Sequence, residues 1–179
     1  MASSSNGYLL NVLVYTGAQT LDGSTADELP QPARVVMHLM EPYISRGHHV
    51  FADRYYSSIP LVKALEQKGT AFTGVCNKNR VGLPRAIRQP LSLHDNEIVC
   101  YRAGIMLCLA WRAEKKKNPV VMLSSDASSA VVTISARHQN GRNVKKPKVV
   151  DLYNHNMNGV DISDQLSVSY PFPRKTRKW

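Results

Sequence analysis

Cysteine is scarce in this sequence of 179 residues. There are three, Cys76, Cys100 and Cys108, an odd number without the close pairing of a zinc knuckle or a redox motif. They read as reduced core thiols, and zinc is not expected. Acid is the scarcer charge, 13 Asp and Glu against 23 Lys and Arg, which gives a formal net charge of +10 and argues against an acidic partner-binding tail. A basic surplus of that size favours polyanionic partners such as nucleic acid. Long apolar runs are missing as well. The longest, near residues 105–111, is far below membrane-spanning length, and the polar start Met-Ala-Ser-Ser-Ser-Asn has no apolar core of a signal peptide. The expectation is a soluble, intracellular protein with no membrane partner. Gly and Pro, 10 each, are too few for collagen-like or low-complexity character, and no internal repeat is visible. What remains is an ordinary globular composition, 43% hydrophobic and 20% charged, with room for one domain or one domain plus part of another.

Residues 7–15 (GYLLNVLVY) are aliphatic, β-branched and aromatic and stop at Thr16-Gly17, which predicts a buried strand. A polar loop follows over 18–32. Val35, Val36, Leu39, Met40, Tyr43 and Ile44 recur at helical spacing over 33–45, and Pro42 must kink or end that helix. Residues 49–52 (HVFA) form a short strand leading into Asp53. Ser57-Ser58-Ile59-Pro60 offers an N-cap and a first-turn proline for a helix over 61–68, which Gly69 ends. Residues 70–76 (TAFTGVC) predict the next strand, so this half alternates strand and helix as a layered α/β domain does. Residues 77–90 are basic and punctuated by Gly82, Pro84 and Pro90, which reads as a loop or inserted element. Residues 98–102, 106–112 and 119–123 predict a small antiparallel meander with a lysine-rich turn at 114–118. Residues 131–134 add a further strand, 145–148 read as a charged connector before 149–154, and 158–168 begin a helix cut short by Pro171 and Pro173.

Three aspartates stand out by context. Asp53 closes an apolar strand, and Asp161 and Asp164, three apart, share one face of a helix. Such carboxylates suit a hard cation, and two Mg²⁺ ions about 3.5–4 Å apart activate a water and stabilise the leaving oxygen of a phosphodiester. The plain alternative is that Asp161 and Asp164 only cap and solvate a helix start.

Four blocks carry a resemblance in chain order: GYLLNVLVYTG (7–17), GHHVFADRYYSSIPLVKAL (47–65), GTAFTGVCNKNRVGLP (69–84) and MNGVDISDQLSVSYPFPRKTRKW (157–179). They are similar to successive parts of the PiggyBac transposase domain, and WRAEKKKNPVVMLSS (111–125) resembles the strand pair between them. The resemblance implies an α/β, ribonuclease-H-like transposase core whose catalytic aspartates hold two Mg²⁺ (or Mn²⁺) ions for DNA cleavage and strand transfer at TTAA sites, with DNA bound by a dimer and no small-molecule cofactor. It carries the catalytic, metal-binding positions over to Asp53 and Asp161, with Asp164 as a further metal ligand. It also divides the chain into 1–76, the N-terminal part of the core; 77–148, a mostly β insertion; and 149–179, the C-terminal part.

The pattern departs in three places. Where the first catalytic Asp is expected stands Ser3, and the central strand carrying that Asp is expected to be missing, which would leave apolar strand edges exposed. The family's later core helices and zinc domain are not expected here. Arg54 follows Asp53 where Asn is common, a cation placed to pair with Asp53 and weaken metal binding. His48-His49 read as structural, and His38, His94, His138 and His155 form no ligand spacing. Basic residues suited to DNA phosphates are Arg80, Arg85 and Arg88 in the loop, Lys145, Lys146 and Lys148 in the connector, and Arg174, Lys175, Arg177 and Lys178 at the end; Lys115–Lys117 are a weaker basic turn. The expected function is that of a PiggyBac element-derived, domesticated nuclear remnant associated with DNA and catalytically incomplete. Two alternatives stand beside it: an active metal-dependent transposase whose missing carboxylate comes from Asp22, Asp27 or a partner subunit, and a basic DNA- or protein-binding module on the old scaffold.

Overall fold

The computed structural model describes residues 2–14, 16–17, 20–21, 28–89, 91–114, 116, 118–126, 133–137 and 143–169, with 133–137 and 143–145 described as backbone. Asp22, Asp27, Lys115, Lys117, His138, Arg174, Lys175, Arg177 and Lys178 lie outside the described residues, as does the side chain of Lys145. Among the described residues no helix is long and apolar enough to cross a membrane.

Five strands form one mixed sheet: β3 (His49–Ala52), β4 (Ala71–Val75), β5 (Ile98–Ala103), β6 (Met106–Trp111) and β7 (Val120–Ser124), in the order β3-β4-β7-β6-β5. β3 and β4 run parallel, with Ala52 opposite Gly74. A parallel pair needs a crossover, and α2 (Ile59–Gln67) supplies it. The predicted meander is present, β5 on β6 on β7, all antiparallel, and β7 joins it to β4.

Both faces of this sheet are buried, which is why the central strands read as unbroken apolar runs and not as alternation. Cys108 and Ala110 of β6, with Val121 and Leu123 of β7, point to one side. They meet Phe72 of β4, Leu61, Val62 and Leu65 of α2, and Ala33, Val36 and Met37 of α1 (Gln31–Met40). Leu107, Leu109 and Trp111, with Met122, point the other way, onto Val149, Val150 and Tyr153 of α4 (Lys148–Asn156). The period-2 alternation of a strand sorts these side chains between two helical layers.

Several expectations are corrected. Of the buried strand expected over 7–15, the described residues 7–14 do not form one. Only β2 (Leu9–Asn11) is extended; it pairs with the two-residue β1 (Ala2–Ser3) outside the main sheet, and Tyr8 and Val14 are each 70% exposed. An apolar run specifies extended backbone but not its neighbour, and here the sheet ends at β3. The hairpin is tied down from outside, the Asn11 amide donating to the Leu39 carbonyl (2.9 Å) and the Tyr43 hydroxyl to the Leu10 carbonyl (3.0 Å). The helix over 33–45 is α1 followed by a 3-10 turn, Glu41–Tyr43, because Pro42 has no N–H to continue the ladder. Residues 77–90 hold a short helix, α3 (Arg85–Arg88), anchored by the fully buried Ile87. The connector is structured: β9 (Asn143–Pro147) pairs with β8 (Thr133–Arg137), and α4 starts at Lys148. Ser58 is the extended N-cap of α2 but makes no capping hydrogen bond. Pro60 removes the N–H at the second helical position, one of the two such a cap serves. The helix expected from residue 158 is α5 (Gly159–Ser169).

Cys76 and Cys108 are buried, as expected of core thiols, whereas Cys100 is exposed on β5, at the edge of the sheet. Burial pushes the Cys76 thiol up to about 11, with Arg80 pulling the other way, and the Cys108 thiol up to about 12, with Cys76 adding to the rise. Folding therefore favours the protonated thiols. That stabilisation is complete below the ordinary thiol range, and it is lost as pH rises through about 11 to 12. Urea unfolding is expected to show falling stability over this alkaline window. A disulfide-exchange reagent at neutral pH should label Cys100 alone in the folded protein, and Cys76 and Cys108 only after denaturation. Phe72→Ala, which empties the side chain shared by α2 and the sheet, should cost about 3–5 kcal/mol by the same unfolding measurement.

Candidate functional site

The sheet delivers Asp53 one residue beyond the end of β3, on an exposed turn. That turn is heavily specified. The Asp53 carbonyl accepts the Tyr56 N–H (3.0 Å), the Ser57 N–H (3.1 Å) and the Ser57 hydroxyl (3.0 Å), and Ser57 is fully buried. Arg80 braces it from the next loop, its guanidinium donating to the carbonyls of Arg54 (3.3 Å) and Tyr55 (2.5 Å). Arg80, expected at a DNA phosphate, thus spends donors on the protein's own backbone. Arg54 behaves differently from expectation. Its backbone N–H donates to the Asp53 carboxylate (2.6 Å), and among the described residues their side chains form no ion pair. The carboxylate takes the nearer donor, and the long guanidinium stays in solvent.

Asp161 sits in the first turn of α5, where the helix dipole favours an anion. A residue that sequence reasoning missed responds to its charge and to that of Asp53. Tyr153, on the buried face of α4, has its phenol pushed up to about 12, first by burial and then by the negative charges of Asp53 and of Asp161. Both carboxylates therefore lie within electrostatic range of one tyrosine. The only sequence signal for it was its helical spacing from Val149 and Val150, which marks a core position and not a site.

Ser3 comes to the same region through the N-terminal hairpin. A Cβ on Gly159 would collide with the Ser4 carbonyl and would stand 2.9 Å from the Ser3 hydroxyl, so only glycine lets α5 start against β1. Gly7, at φ +84°, makes the second close approach: its carbonyl accepts the Ser163 hydroxyl (2.5 Å) and Ile162 packs where a side chain would be. The Ser3 hydroxyl is buried without a hydrogen-bond partner among the described residues. Asp164 lies one turn further along α5, exposed. Among the described residues no group of three His, Cys, Asp or Glu is arranged to hold a metal ion.

The remaining predicted residues divide by partner. Lys146 is held by Asp151 at 2.5 Å, a half-buried pair that His155 adjoins at 3.5 Å. Lys148 is exposed at the start of α4. Arg85 and Arg88 are exposed on α3, where with Asn79 and Gln89 they line a pocket of about 340 Å³. His49 is half-buried, stacked on Phe51 (4.3 Å) and bonded to the Thr73 hydroxyl (2.9 Å), with burial lowering its pKa. That is the structural role expected of it.

Comparison with known proteins bears on the fold and the family. The family model described as Transposase IS4 matches residues 1–179. The fold is similar to that of piggyBac transposase in a cryo-electron microscopy structure of its synaptic complex with hairpin DNA. The TM-score is 0.67 and the identity 22%, over 88% of this chain and 32% of that one, so this chain spans about a third of that relative. The shared architecture is the ribonuclease-H-like transposase fold, and the chain belongs to the Transposase IS4 family.

Proposed function

We propose that this protein is a DNA-associated domain derived from a PiggyBac-like element, which holds one divalent cation but does not by itself complete phosphodiester cleavage. The observation that carries the reading is that the charges of Asp53, just past β3, and of Asp161, in the first turn of α5, both act on Tyr153, with Ser3 placed beside the start of α5. Two exposed carboxylates are hard oxygen donors that fit one Mg²⁺ or Mn²⁺. Bound there, such an ion supplies Lewis-acid polarisation of a phosphoryl oxygen. The pairing of two ions needs more negative charge than this, and the Ser3 hydroxyl is neutral. Tyr153, its phenol pushed up to about 12, keeps its proton at neutral pH and so adds no charge near the carboxylates.

DNA as the partner is supported by the net charge of +10 and by the similar transposase having been captured with hairpin DNA. The reading carries a nuclear location with it. A second reading, an active transposase that draws its third carboxylate from a residue outside this group or from a partner subunit, rests on the same observation and differs in outcome.

Thermal unfolding with Mn²⁺ separates them. The wild-type melting temperature is expected to rise with Mn²⁺, because an ion at a hundredfold excess over its Kd adds about 2.7 kcal/mol to the folded state. The rise should vanish in Asp53→Asn and in Asp161→Asn, both exposed positions that tolerate substitution. Ser3→Asp should melt lower than wild type without metal, from like-charge repulsion, and bind Mn²⁺ roughly tenfold tighter with it. Supercoiled plasmid should stay intact with the wild type. Nicking that both Asp→Asn variants abolish would establish the active reading, and no Mn²⁺ shift in any variant would remove the metal site.

A further inference from the structure

The β5 edge of the main sheet takes no part in the site. β5 ends the order β3-β4-β7-β6-β5, and among the described residues no strand lies beyond it. It pairs with β6 from Ile98 opposite Trp111 to Ala103 opposite Met106, without a register shift. Folded proteins blunt such an edge with proline, lysine, a bulge in the strand or a very short strand. β5 (IVCYRA) is six residues long and has none of these. Cys100, Tyr101, Arg102 and Ala103 are exposed, and so is Ile105 in the turn that follows. Hydrogen bonding decides which backbone groups face outward. The tight turn at Gly104-Ile105 is closed by Ala103 and Met106, a pair that exchanges hydrogen bonds. At the other end of the ladder the Arg112 N–H donates to the Glu97 carbonyl (3.2 Å). Val99, Tyr101 and Ala103 therefore spend their backbone groups on β6, and Ile98, Cys100 and Arg102 present theirs to the open edge. The hairpin is also the neutral part of a basic chain. Residues 95–112 hold Asp95 and Glu97 against Arg102 and Arg112, whereas the whole carries +10. Such a segment does not attract a polyanion, and it can meet its own copy without net repulsion.

We propose that β5 is a self-association edge, at which a second copy of this chain adds its own β5 antiparallel across a two-fold axis, making one continuous sheet of both copies. A two-fold axis normal to the sheet keeps each face on its own side, so outward residues pair with outward residues. The register that uses all three sets Cys100 on the axis opposite its own copy, and Ile98 opposite the second copy's Arg102. Each such pair exchanges two hydrogen bonds. The closer pairs between them join Val99 to the second copy's Tyr101, an aromatic beside a β-branched side chain, which is a favourable cross-strand combination. Arg102 lays its stem over Ile98 and keeps its charge in water, and no like charges stand opposite each other. Two six-residue strands bury less than the roughly 800 Å² per partner of a standard interface, so the dimer is weak, with Kd on the order of 10–100 µM. The pairing uses neither the carboxylates nor DNA, and it stands or falls apart from the reading above.

The test is sedimentation velocity of the full chain from about 1 µM to about 500 µM, over which the average mass should rise from monomer toward dimer. Added salt should tighten the dimer, because screening weakens the repulsion between two copies that each carry +10. Tyr101→Lys sets a charge opposite the second copy's Val99, and Cys100→Pro removes the central outward N–H; each should raise Kd roughly tenfold or more. Both positions are exposed on an edge strand, and melting temperatures equal to wild type at low concentration will show that the variants fold. Tyr101→Lys alone decides the matter if the proline variant does not fold. A short bismaleimide should link two chains through Cys100, since Cys76 and Cys108 are buried, and should do so faster in wild type than in Tyr101→Lys. A wild type that stays monomeric at every concentration would overturn the proposal. So would a dimer that Tyr101→Lys leaves intact, which would put association on another surface. A dimer that Tyr101→Lys disrupts, but whose Cys100 thiols link no faster than those of the variant, would overturn the register.

Discussion

The parallel pairing of β3 with β4, closed by the buried crossover helix α2, is the constraint on which everything else depends. Parallel strands send their following loops to one end of the sheet, so a single topological fact puts the Asp53 turn and the basic loop 77–84 side by side. The pairing is held by the apolar faces of Phe72, Leu61, Val62 and Leu65, all of them fully buried. The turn that results is then locked by hydrogen bonds from Ser57 and Arg80. Packing decides where the turn is, and polar contacts decide its shape.

The second half of the site comes from the opposite layer. α4 lies across the other face of the sheet and brings Tyr153 to the region of Asp53, and the chain then turns into α5, which carries Asp161. The N-terminal hairpin closes against α5 through Gly7 and Gly159, two positions where a side chain would meet backbone or a packed isoleucine. Carboxylates far apart in the sequence thus act on one tyrosine. Because both are exposed, water carries much of their charge, and their mutual repulsion is tolerable without an ion.

Much of this was legible in the sequence. The apolar runs of β4, β6 and β7, the helical spacing of α1 and the glycine that stops α2 are local signals, and the elements fall where those signals lie. Asp53, Asp161 and Ser3 could be picked out, the first from its place after a strand and all three from the resemblance of the flanking blocks. The failures share a cause. GYLLNVLVY carries the signature of a strand whatever lies beside it, and only the neighbours decide whether it is buried. Arg80 looks like any other loop arginine until its guanidinium is seen on two carbonyls, and Lys146 looks like a free cation until Asp151 is found beside it. Tyr153 looked like core, which it also is.

The sequence by itself determined the types of the main-sheet strands and of most helices, the charge balance and the identity of the acidic side chains, because these depend on residues within a few positions of one another or on simple sums. Tertiary structure alone decided which carboxylates meet, which arginines brace backbone and which stay free, and that the hairpin lies outside the sheet. Those outcomes turn on contacts between residues as far apart as Ser163 and Gly7, where the free energy of close packing and of specific hydrogen bonds has no local trace.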